Sequence, residues 1–148
     1  MLATRLKALL SFATLVALTA APASAADIEL SAGMYRITAE VANTPAGREQ
    51  GLMHRREMAD GHGMIFTFPT SGKYCMWMAN TLIPLAVAFI DEKGEIANIE
   101  EMQPQTKTPH CASRPARYAL EMNGGWFQHR GIAAGSPLGG IEKLPPAQ

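Results

Sequence analysis

Arg48, Arg55, Trp77, Asn80, Thr81 and Glu121 are the residues of this chain best suited to gripping a ligand. Two guanidinium groups beside an aromatic face and an amide could hold a carboxylate, a phosphate or a sugar. The same residues have a structural use. Asn80 and Thr81 suit a corner where side chains satisfy loop backbone groups, and Arg48 could pair with Glu49 or Glu121. A corner needs such residues whether or not anything binds there.

Other chemistries find less to work with. Met53, Met64, Met76 and Met78, with His54, His62, His110 and the cysteines, offer thioether and imidazole groups of the kind that hold Cu(I). The methionines fall where strands pack, however, and no two histidines have tight ligand spacing, so neither a metal nor a cofactor is expected. Ser71 and Ser113 lie in loops without a nucleophile elbow. Asp91 and Glu92 read as turn residues, Glu100-Glu101 as a solvated strand end, and Glu121 has no second carboxylate in its motif. Non-catalytic binding is therefore the leading function. The alternative is an enzyme acting on a small-molecule or cell-wall substrate, with Glu121 or Asp91 as acid/base.

These residues must be positioned by strands. Residues 27–42 alternate apolar and polar around a turn at Ala32-Gly33, which predicts a hairpin. Thr44 can cap a short helix that starts at Pro45 and runs to about Leu52. Residues 54–63 read as a loop, and 63–68 as a strand stopped by Pro69. Lys73 to Met78 reads as that strand's partner, central because it is apolar on both faces. The corner at Asn80-Thr81 and the break at Pro84 lead to a strand over 85–90 and a hairpin turn at Asp91–Gly94. The return strand, 95–102, has an irregular apolar spacing that implies a bulge. A long loop over 103–115 precedes a strand at 117–122. Asn123 can cap a helical turn carrying Trp126 and Phe127, and a last short strand falls within 132–141 before a frayed proline-rich tail. Many short strands and few weak helices predict an all-β sandwich or barrel in a single domain.

Compartment and partners follow from the chain's ends and charge. Arg5 and Lys7, an apolar run over 8–20 and Ala23-Ser24-Ala25 have the layout of a signal peptide cleaved after Ala25. That segment holds two basic and no acidic residues, so the formal charge of zero for the whole chain becomes −2 for residues 26–148. A domain so close to neutral has no electrostatic footprint for nucleic acid. No later apolar run is long enough to cross a bilayer. The expected product is an exported, periplasmic monomer with an unidentified small-molecule or envelope ligand. Cys75 and Cys111, an even pair in an oxidising compartment, are expected to form a disulfide.

Five motifs carry a family resemblance: Arg48-Glu49-Gln50-Gly51-Leu52-Met53 with Arg55, GMIFTF at 63–68, MWMANTLIPLAVAFID at 76–91, Tyr118-Ala119-Leu120-Glu121, and Gly131-Ile132 with Gly135. In this order they resemble the DUF192 (UPF0127) family of unknown function over about residues 36–140. The six recognition residues all lie in these motifs. The resemblance implies a β-sandwich of jelly-roll type and brings no catalytic residues. The chain departs from the family's pattern at Ala86 and Ser136, where aspartate is frequent.

Overall fold

A computed structural model describes residues 26–148; the expected signal peptide lies outside the described residues. Strand β1 (Ile28–Ala32) turns at Gly33 into β2 (Tyr35–Ala42), and the two pair antiparallel from Ile28 opposite Ala39 to Ala32 opposite Tyr35. Thr44 then caps helix α1 (Pro45–Gln50), its side chain accepting from the Gly47 N–H at 3.0 Å, with Pro45 in the first turn where no amide is needed. This connection lets β3 (His62–Gly72) return parallel to β2.

Next come β4 (Cys75–Met76), β5 (Leu85–Ile90), β6 (Ile96–Met102), β7 (His110–Cys111), β8 (Ala116–Asn123) and β9 (Leu138–Gly139). Seven of the strands form one sheet in the order β6-β5-β8-β3-β2-β1-β9. The sheet curls until its two ends meet at a bridge between Glu95 and Pro137. The Ile96 N–H donates to the Ser136 carbonyl at 3.0 Å and the Leu138 N–H to the Gly94 carbonyl at 2.8 Å, so the edge groups satisfy each other. The all-β architecture expected from the sequence is thus present, and its layers are made by a single sheet folding over on itself.

Two apolar clusters result. Alternate residues of the curled sheet, including Ile37, Ile65, Ala88 and Leu120, fill its inside together with Trp126 and Phe127. The opposite face, including Phe66, Val87, Phe89 and Ala119, is covered by Leu52, Met78 and Ala112 from the connections. All six residues of β5 are consequently buried. This is the strand covered on both faces, lying between β6 and β8.

The sequence had given that place to Lys73–Met78, and the structure corrects it. Only Cys75 and Met76 are extended there; they pair with β7 in a separate two-stranded ribbon, and the neighbours of β3 are β2 and β8. A ribbon laid over an apolar sheet also needs apolar side chains. Met78 is fully buried and Tyr74 stacks on Phe68 with ring centroids 3.7 Å apart, whereas Trp77 remains 54% exposed.

Pro69 does not end β3 either. The pairing with β8 shifts between Thr67 and Gly72, and this irregular stretch tolerates a residue without an N–H. Asn123 does not cap the following turn through its side chain, which donates to the Met58 carbonyl at 2.8 Å. The tail is tied down, since the Gln148 N–H donates to the Asn43 carbonyl at 2.7 Å. The hairpin at Asp91–Gly94 and the irregularity in the β5–β6 register occur as expected, with Gly94 at φ 86°.

Candidate functional site

A cavity of about 720 Å³ opens on the outer face of the sheet. Its floor is Phe66 from β3 and Glu121 from β8; α1 and the chain just after it form one wall, and the ribbon with the Asn80-Thr81 corner forms the other. Strand alternation puts Glu121 there. In the ladder it lies opposite Met64 of β3 and Val87 of β5, so its carboxyl stands in an otherwise apolar row.

Glu121 is 4% exposed and has no hydrogen-bond or ion-pair partner among the described residues. Burial away from water disfavours its charged form and pushes its pKa up to about 8. At neutral pH the group is mostly a carboxylic acid, with one O–H to donate and lone pairs to accept. Gly63 sits beneath it, where a Cβ would lie 2.4 Å from the Glu121 backbone oxygen.

The other predicted residues divide into two groups. Arg48, Trp77, Asn80 and Thr81 line the same cavity as Glu121, and Arg55 does not. Arg55 instead forms a two-pronged ion pair with Glu40 of β2, one contact being 3.0 Å. Arg48 pairs with neither Glu49 nor Glu121. Its guanidinium donates to the carbonyls of Asn43 at 2.8 Å, Thr67 at 3.1 Å and Gln148 at 2.9 Å, fastening α1 to β3 and the tail.

Asn80 occupies a left-handed conformation at φ 57°, which asparagine tolerates better than most residues, and its carbonyl accepts from the His54 N–H at 2.8 Å. The Thr81 carbonyl accepts from the Gln105 N–H at 3.0 Å. The corner therefore holds the two walls of the cavity in place through its backbone. Trp77, exposed at the ribbon's end, is free to meet a ligand.

Met53, His54 and Met76, weighed in the sequence as copper ligands, also line the cavity. Gly51, part of the first family motif, has a role there that its type alone does not announce: at φ 47° it passes the Phe66 ring so closely that a Cβ would lie 3.2 Å from it. Its positive φ, followed by a buried Leu52, turns the chain after α1 into the cavity wall.

No group of three His, Cys, Asp or Glu side chains that could hold a metal occurs among the described residues. Cys75 and Cys111 are joined by a disulfide, directly opposite each other on β4 and β7. Burial pushes the Asp91 carboxylate up, but Arg114 and the N–H groups of Glu95 and Lys93 outweigh it and hold the group below its usual range. Asp91 thus shapes its turn, far along β5 from the cavity. Ala86 faces the inner cluster, on the other side of the sheet from Glu121, so the loss of an aspartate there leaves the cavity lining unchanged. The Ser136 hydroxyl accepts from the Ala133 N–H at 3.2 Å within a turn.

Comparisons with known proteins agree with this architecture. A solved structure from Sinorhizobium meliloti 1021, provisionally described as a transcription regulator, is 37% identical with a TM-score of 0.72, covering 78% of this chain and 92% of that one. A protein of unknown function from Novosphingobium aromaticivorans DSM 12444 is 32% identical with a TM-score of 0.74, covering 81% and 90%. A search of curated proteins gave no significant match. Residues 28–140 match the DUF192 family, described as uncharacterized ACR. With the match spanning β1 to β9, and two structures sharing both fold and sequence, the chain belongs to the DUF192 family.

Proposed function

We propose that this chain is an exported, periplasmic binding or accessory domain of the cell envelope, whose ligand occupies the cavity above Glu121 without being chemically changed. One observation carries the reading: a buried, unpartnered carboxyl forms the floor of an open cavity of about 720 Å³, with an exposed indole at its edge. A buried polar group without a partner costs roughly 1–3 kcal/mol, and a ligand can supply the missing contact. The cavity is of the size that small-molecule sites have. Export is supported by the layout of residues 1–25 and by the pairing of both cysteines, which suits an oxidising compartment.

The regulator description of the Sinorhizobium protein finds little support here. Residues 26–148 carry a formal charge of −2, and α1, the only α-helix among the described residues, has six residues. A thermal-shift screen of envelope glycans, small anions and small cations tests the binding reading. The expected result is stabilisation by at least one class in the wild type and a loss of that shift in Trp77→Ala. No shift with any class would contradict it.

A second reading has one observation in its favour. A carboxyl that stays protonated to about pH 8 in a cleft is poised as a general acid. Turnover of a bound compound, abolished in Glu121→Gln, would establish it; binding without turnover would exclude it for that compound.

A further inference from the structure

We propose that the ligand of this cavity is an organic cation, its ammonium or guanidinium head on Glu121 and its apolar part along Trp77, Met53 and Met76. This rests on the binding reading above and gives its ligand a chemical class. The first support is the missing counter-charge. Glu121 is nine-tenths buried and more, it lines the cavity, and no donor or cation among the described residues reaches it. A cationic head would supply the charge, and a primary ammonium or guanidinium the donors as well.

The second support is the wall. An exposed indole face attracts cations through its ring quadrupole, and thioethers are polarizable and apolar. The third is the disposition of the other charges around the carboxyl. From α1 and the residues after it come Arg48, Glu49 and His54. The ladder neighbours on β3 and β5, Met64 and Val87, are apolar. Arg48 is the only permanent cation in the lining, and its guanidinium is held by three backbone carbonyls. An anion would find this engaged arginine as the one permanent cation among the described lining residues, with Glu49 beside it.

Binding is coupled to one proton. In the empty cavity the Glu121 carboxyl is mostly protonated at neutral pH, because burial raises its pKa to about 8. When the cation enters, the O–H bond breaks, the proton leaves to solvent, and the carboxylate pairs with the ligand. Affinity therefore rises up to about tenfold per pH unit below that pKa and levels off above it.

The test is isothermal titration of the chain (residues 26–148) with choline, with agmatine, and with 3,3-dimethylbutan-1-ol, the neutral analogue of choline. Titrations run at several pH values and in buffers of different ionisation enthalpy, with His54→Gln as a control for the imidazole. The expected result is binding of at least one cation, at least tenfold weaker binding of the alcohol, and release of about one proton near pH 7. That pH dependence persists in His54→Gln. Glu121→Gln is expected to weaken the cation at least tenfold and to flatten the pH dependence, and Trp77→Ala to weaken it severalfold while remaining folded by circular dichroism. Failure of both cations at millimolar concentration overturns the inference, as does equal binding of cation and alcohol. If glycans or anions still shift the protein's melting, the binding reading survives that failure; if nothing does, both fall together.

Discussion

Replacing Glu121 by glutamine keeps the shape of the side chain and removes its ionisation, so it isolates what the buried carboxyl costs the fold. In the unfolded chain the group has an ordinary value of 4.5; in the folded protein burial raises it to about 8. Below pH 4.5 both states hold the proton and no penalty arises. Between 4.5 and 8 the unfolded state gives up its proton while the folded state keeps it, so the unfolded state binds fewer protons and stability falls as pH rises. The slope approaches 1.4 kcal/mol per pH unit, which amounts to about 3 kcal/mol at pH 7. Glutamine has no such slope. Glu121→Gln should therefore match the wild type near pH 4.5 and exceed it by about 3 kcal/mol at pH 7, near 10 °C in melting temperature for a domain of this size. Urea unfolding at half-unit pH steps measures the difference directly. Parallel stability curves for the two proteins across that range would refute the burial of an uncompensated carboxyl.

Other substitutions probe the frame around the cavity. Unfolded, non-reduced protein should contain no free thiol, and replacing both Cys75 and Cys111 with serine should cost roughly 2–4 kcal/mol in denaturant unfolding by freeing the ribbon. Gly63→Ala should destabilise by more than about 2 kcal/mol, because its Cβ would collide with the Glu121 backbone on β8; thermal melting reads this out. Arg48→Ala should cost about 2 kcal/mol and speed hydrogen exchange in α1 and the tail, since three carbonyls lose a charged donor. Arg55→Ala, which breaks a half-exposed pair, should cost under about 1 kcal/mol in the same assay. Mass spectrometry of the protein recovered from a periplasmic extract should give a chain that starts at Ala26; an intact leader or a cytoplasmic product would contradict export.

The strands were legible wherever their own residues carried the period. Ile37, Ala39 and Val41 marked one face of β2, and Asp91–Gly94 marked the hairpin turn between β5 and β6 through a glycine at positive φ. Long-range pairing was not legible, because it depends on contacts that local alternation does not record. Lys73–Met78 looked like an inner strand since apolar residues on both sides suit either a sheet interior or a ribbon laid across one. The difference lies in hydrogen bonds to β7, beyond the reach of local pattern.

The cavity shows the same division. Glu121 was visible as the charged member of the Tyr118–Glu121 motif, Trp77 as an aromatic face, and Asn80 and Thr81 as a corner, but the parallel return of β3 and the path of α1 were needed to bring them together. Arg55 had the right chemistry and the wrong neighbour, because Glu40 of β2 captures it. Arg48 lines the cavity with most of its hydrogen bonds turned to the backbone.

The state of a single side-chain carbon reports on the whole account. Carbon-13 NMR of glutamate-labelled protein, with the Glu121 signal assigned by its absence from Glu121→Gln, follows the carboxyl through a pH titration. A midpoint near 8 that falls when choline or agmatine saturates the cavity is the predicted result. A midpoint in the ordinary carboxylate range, unmoved by either compound, would contradict it.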